Sequence, residues 1–260
     1  MPRARLTLLD EIERGALDDS APLASVLRKC VALGGATRSA ELRDWASREL
    51  HGYNGTELPA YRTVHAPLQA DGWNARFRIQ GQQISTFDLP DFAREHITND
   101  VPLAGGVGEL EALIRNAERD GETAVRLQPF MAAELVAYMN QQQGGGIERI
   151  YWSVSTSRIA GTLDQIRTTL VRLVSEMRAT MSQDATMPTP DDAASAFNVV
   201  VNGGERNTIT ITATGRDSIA VAAAAPKSES GWTKASTIWT IISVLIATVG
   251  LYVAYRQWRG

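Results

Sequence analysis

The chain has 260 residues, a hydrophobic fraction of 44% and a formal net charge of −3, which suits one or two globular domains with a real core and excludes a disordered chain. The charge is mixed in sign and no Lys/Arg run interleaves with aromatics, so no dedicated nucleic-acid surface is expected. A single cysteine, Cys30, excludes an internal disulfide framework and agrees with a reducing compartment.

Residues 1–181 read as one α+β domain, helical at its N-terminus and carrying a small mixed sheet. Leu6, Leu9, Ile12 and Leu17 mark an amphipathic opening helix. Asp18, Asp19 and Ser20 offer a turn, and Pro22 suits the start of a second helix. That helix points Leu23, Val26, Leu27, Cys30, Val31 and Leu33 inward and ends at Gly34 and Gly35. Thr37 or Ser39 caps a third helix carrying Leu42, Trp45, Ala46, Glu49 and Leu50, and Gly52 stops it.

Residues 61–68 and 73–84 predict short strands broken by Gly and Pro. Residues 108–119 return to helix, 124–127 form a brief strand, and 132–142 form another helix. In residues 147–155, Ile150, Trp152 and Val154 alternate with polar positions and predict a half-buried strand. Ser157 then caps a long helix containing Ile159, Leu163, Ile166, Leu170, Leu173, Val174 and Met177.

The remainder changes character. Residues 182–196 hold Pro188 and Pro190 without periodicity and predict an extended linker. Residues 197–221 repeat at an interval of ten: Val199, Ile209 and Ile219, then Val201, Ile211 and Val221. Three short strands follow from this pattern. They bury too little surface to stand alone, so they either join copies of the chain or lie on the preceding domain. Residues 222–234 form a small, polar tether.

Residues 235–255 contain no Asp, Glu, Lys or Arg. Twenty-one residues at ~1.5 Å each span about 31 Å, the thickness of a hydrocarbon core. Ser236, Thr240, Ser243, Ala247, Gly250 and Ala254 fall on one helical stripe, where small residues let helices pack closely in lipid. Either this helix self-associates or it is a plain anchor. Trp232, Trp239, Tyr252, Tyr255 and Trp258 sit towards its ends, as interfacial aromatics do. Lys227 and Lys234 balance Arg256 and Arg259, so flanking charge does not orient it. The N-terminus lacks an apolar signal region, which keeps the large domain in the cytoplasm and sends the tail, residues 256–260, across the inner membrane.

No catalytic constellation emerges. His51, His65 and His96 have no metal-ligand spacing, and Gly105, Gly106 and Gly108 before a helix read as a plain loop rather than an anion cradle. The chain is therefore expected not to be an enzyme, and no cofactor or metal is called for. The candidate sensing or partner surface is the corner around Arg43, Trp45, Glu49, Tyr53, Tyr61 and Arg62. Its alternative is a packing corner held by Trp45 and Tyr53 with one salt bridge.

The same corner carries a family resemblance. Trp45-Ala46-Ser47-Arg48-Glu49-Leu50-His51-Gly52-Tyr53, followed by Leu58-Pro59-Ala60-Tyr61-Arg62, resembles the AbiTii family of bacterial abortive-infection proteins. Leu8-Leu9-Asp10-Glu11-Ile12, the helix beginning at Gly108 and the Trp152 strand extend it over the first 181 residues. The resemblance implies phage defence and brings no catalytic mechanism or ligand with it. With the repeat and the uncharged run, it leads to an expected membrane-anchored effector that oligomerises and perturbs the inner membrane. The expected partners are other copies of the chain, inner-membrane lipid, and a neighbouring defence component or a phage-derived trigger. Two other readings are a membrane-tethered binding or regulatory subunit of a defence complex and a tethered nuclease.

Overall fold

The computed structural model describes residues 7–203 apart from 74–75, 144–145 and 183, all within one compact unit, Met1–Thr208. Its elements begin with α1 (Leu8–Leu17), α2 (Leu23–Ala36) and α3 (Ala40–His51). Next come β1 (Thr63–His65), β2 (Leu68–Trp73), β3 (Arg78–Gln83), α4 (Asp91–Arg94) and β4 (Asp100–Pro102). The chain continues through α5 (Val107–Arg119), β5 (Ala124–Leu127), α6 (Ala132–Gln143), β6 (Gly146–Ser155), α7 (Thr156–Thr180) and α8 (Pro190–Val200).

Local chemistry sets the helix starts. Thr7 and Asp10 close a capping box at α1, and Ser39 accepts from Leu42 N at α3. The Thr7 bonds, with help from Arg178, hold the Asp10 carboxyl down at about 2. Ser155, two residues before the expected Ser157, caps α7 by accepting from Ser157 N. At α2, Pro22 has no side chain to cap with, and Glu111 of α5 accepts from Leu23 N at 2.9 Å instead.

Two cores result. In the helical core, α1, α2, α3, α7 and α8 bring together Ile12, Leu27, Leu42, Trp45, Leu170 and Phe197. Cys30 is buried there, and desolvation pushes its thiol up to about 12. On α1 the buried positions are Leu9, Ile12 and Ala16, whereas Leu17 is 66% exposed because it ends the helix on the outer side. Where α2 meets α3, a Cβ on Gly34 would lie 2.8 Å from Arg43 N, so only glycine permits that approach.

The second core lies under a four-stranded sheet of order β3-β2-β6-β5, beside a two-stranded sheet β1-β4. Every pairing among the described residues is antiparallel, which corrects the expected mixed sheet. Leu68, Ala70, Ile150, Trp152 and Val154 form the apolar sheet face against Leu110 of α5 and Leu135 of α6. Two helices serve both cores. Ile159 of α7 belongs to the sheet core and Ile166 to the helical one; in α5, Leu110 and Val107 divide likewise.

The expected linker and first repeat strand are corrected by α8. Thr189 and Asp192 make a capping box, Pro190 opens the helix, and Ala193, Ala196 and Phe197 are buried. Val199 lies within this helix and Val201 is its C-cap. The spacing of Ala193, Ala196, Phe197 and Val200 is helical, and tertiary burial overrides the β preference of Val199 and Val201. Among the described residues no helix is long and apolar enough to cross a membrane. Ile209, Ile211, Ile219, Val221 and the stripe from Ser236 to Ala254 lie outside the described residues.

Candidate functional site

The corner singled out from sequence is a folded device. Trp45, Ala46 and Glu49 recur at helical spacing and face inward from α3. Gly52, with φ of 97°, ends the helix and turns Tyr53 back beneath it. A 3₁₀ turn over Ala60–Arg62 then brings Tyr61 and Arg62 to the same place.

Glu49 and Arg62 are both 0% exposed. One carboxylate oxygen, Oε1, accepts from the hydroxyls of Tyr53 and Tyr61; the second bond is 2.7 Å. The other, Oε2, accepts from Arg62 Nε at 3.1 Å and from Nη2 at 2.5 Å. Arg62 Nη1 reaches the carbonyls of Leu103 (3.1 Å) and Gly105 (2.7 Å), and Nη2 also reaches the Glu49 carbonyl (3.3 Å). All five guanidinium N–H groups are thus used. Trp45 Nε1 donates to the Tyr61 hydroxyl at 3.1 Å.

Burial, with the Glu49 carboxylate second, pushes the Tyr53 and Tyr61 hydroxyls well above the ordinary tyrosine value. The ion pair is desolvated and fully hydrogen-bonded, a state in which loss of either partner leaves an uncompensated buried charge. A saturated buried set presents no group to a ligand. Five of the six candidate residues meet here. Arg43 does not: it lies outside, beside Asp44 at 3.5 Å. The corner therefore supports other parts of the molecule and is not itself a surface.

What it supports is the loop over residues 103–106. Tyr53 N donates to Ala104 O at 2.9 Å, and Leu103 N to Arg62 O at 2.8 Å. A Cβ on Gly106 would collide with the Leu50 carbonyl, and one on Gly52 would lie 2.7 Å from Ala104 O. Gly106 and Gly52 serve this interlock. They allow the loop and the end of α3 to touch backbone to backbone.

The supported loop walls a cleft of about 460 Å³, with Leu103, Leu113, Leu127, Phe130 and Trp152 as apolar lining and His96 and Glu109 at its polar edge. Of the other histidines, His51 bonds its own helix at Ser47 O (3.0 Å) and His65 pairs with Asp100 at 3.3 Å, both exposed. Among the described residues no three of His, Cys, Asp and Glu gather in a metal-binding arrangement.

Two features escaped the sequence reading. On the sheet's outer face Asp71 is buried, and its Oδ1 accepts from Gly81 N (2.7 Å) and the Tyr151 hydroxyl (2.8 Å). Its Oδ2 accepts from Arg149 Nε at 2.7 Å. Burial opposes the charge, but these donors keep the carboxyl below its ordinary range. Asp71 lies between the two strands expected from sequence, 61–68 and 73–84, and only the observed strand Leu68–Trp73 places it in the sheet. The second is a set of exposed aromatics: Phe87 (83%), Phe130 (101%) and the edge-to-face pair Phe92 and Tyr138, 5.4 Å apart. Their phenylalanines sit in stretches that lack periodicity, so only the structure collects them.

Against known proteins, the AbiTii family model matches residues 7–201. No curated protein matches the chain, and no solved structure does.

Proposed function

The chain belongs to the AbiTii family, a family of bacterial abortive-infection and phage-defence proteins, and from that premise we propose that it is the membrane-anchored effector of such a system. The observation that carries this reading is the uncharged run of residues 235–255, of bilayer length and placed after the family domain. A single helix encloses no pore, so injury to the membrane requires several copies. The stripe of small residues from Ser236 to Ala254 would supply a packing face, and the two repeat units beyond α8, Ile209 with Ile211 and Ile219 with Val221, would pair between copies on this reading. On this reading the family domain faces the cytoplasm, holds the chain inactive and receives the cue of infection.

The test is survival under phage challenge of cells carrying the full chain or a chain ending at Ser230. Protection by the full chain alone is expected. Equal protection by both would sink the proposal. A second reading, a tethered binding or regulatory subunit, is favoured by the exposed aromatic set around α4 and α6. Expression of the chain without neighbouring genes separates the two, because a regulatory subunit alone does not protect.

A further inference from the structure

The aromatic set forms a surface with a definite charge. Phe87 precedes Asp88, and Phe92 lies on α4 between Asp91 and Glu95. Tyr138 meets Phe92 edge to face and stands one helical turn after the exposed Glu134 on α6. Arg94 is the basic group in this neighbourhood; it pairs with Asp91 at 3.3 Å and donates to the carbonyls of Phe87 and Leu89. The cleft is lined in part by residues flanking the same two helices, His96 just after α4 and Phe130 just before α6. The carboxylate of Glu109 at its edge makes no hydrogen bond or ion pair among the described residues, while its backbone N donates to Gly106 O.

Apolar patches rimmed by charge mark interaction sites rather than ordinary surface. Acidic side chains around this one select the occupant. The cytoplasmic leaflet is anionic and repels them, whereas a basic apolar polypeptide is attracted. A cleft of this volume is large enough to accept a side chain of such a segment. We propose that the α4–α6 face and the adjoining cleft are a docking site for a partner polypeptide segment that combines large apolar residues with Lys or Arg. The idea rests on the reading of the domain as the part that receives a cue, and it gives that cue a chemistry. The 103–106 loop, with its carbonyls held by Arg62, is the rigid wall against which the segment seats.

The probe is a fluorescein-labelled peptide alternating leucine and lysine, with a leucine–glutamate counterpart, added to the full chain in phosphatidylcholine discs. Fluorescence anisotropy should show the lysine peptide binding at least about tenfold more tightly. The Phe87→Ser/Phe92→Ser variant should lose about tenfold in affinity with its unfolding temperature unchanged, while Leu17→Ser on α1 should not alter binding. If the serine variant fails to fold, Glu109→Lys/Glu134→Lys, two exposed charge reversals, replaces it with the same expectation. Equal binding of both peptides, or wild-type binding by the folded face variants, overturns the proposal. So does binding of phosphatidylglycerol vesicles to the full chain in the absence of peptide that the face variants lose, which would make lipid the occupant, or a fall in peptide affinity as the chain's own concentration is raised, which would make a second copy the occupant. Failure here would leave the loss of protection on truncation at Ser230 untouched, so the two readings fail separately.

Discussion

Glu49 receives four hydrogen bonds on its carboxylate while fully buried, so its removal strands a guanidinium that has no water to turn to. Glu49→Ala should cost about 3–5 kcal/mol in urea unfolding, and Glu49→Leu combined with Arg62→Met should cost less than Glu49→Ala alone. If the double change costs as much as the sum of its parts, the two side chains are not acting as one pair. The tyrosines add a pH signature. Their folded values lie above the ordinary 10.0, so stability is fully present below that pH and declines as pH rises through it. Tyr53→Phe and Tyr61→Phe should each flatten that alkaline decline in unfolding midpoint. Cys30 offers a simpler check. A thiol this buried and this hard to ionise should resist a thiol-reactive dye in the native chain and react on unfolding.

At the scale of elements, α8 is the piece that alters the domain boundary. Phe197 is 6% exposed and meets Trp45 edge to face at 6.5 Å. A chain cut after residue 181 uncovers that side of Trp45 and α7, so residues 1–203 should unfold at a clearly higher temperature than 1–181. Phe197→Ala should cost about 3–5 kcal/mol, and a loss below ~1 kcal/mol would show α8 to be loosely attached. The difference between helix and expected linker has a plain cause. Pro188 and Pro190 signal a break, but Pro190 also suits the first turn of a helix, and the deciding fact is the apolar groove that α7 and α3 leave for Ala193, Ala196 and Phe197. Where periodicity was long, the sequence was a good guide: α3, α5, α6 and β6 lie within a residue or so of their expected bounds. Ile150, Trp152 and Val154 are buried as their alternation implies. The short strands β1 and β4 and the turn α4 carry too few residues for a period. They are fixed by contacts distant in sequence, such as Arg62 with Leu103 and Gly105. The site residues divide in the same way: Trp45 and Glu49 stand out as a helical face, while their enclosure depends on the loop over 103–106.

For the whole molecule, the family domain ends in a helix seated on its own core, and the chain then leads towards the uncharged run. The proposed effector activity needs those runs to associate. Gly250→Leu or Ser243→Leu, each a bulky residue on the small-residue stripe, should reduce oligomer size in detergent and weaken protection together. Unchanged size and protection would reduce the run to a simple tether. The central claim is membrane injury on infection, and it is read most directly by entry of a membrane-impermeant dye into infected cells before lysis. Cells carrying the full chain should admit the dye soon after infection, and cells carrying the chain ending at Ser230 should exclude it. Dye exclusion by infected cells that the full chain nevertheless protects would contradict the account.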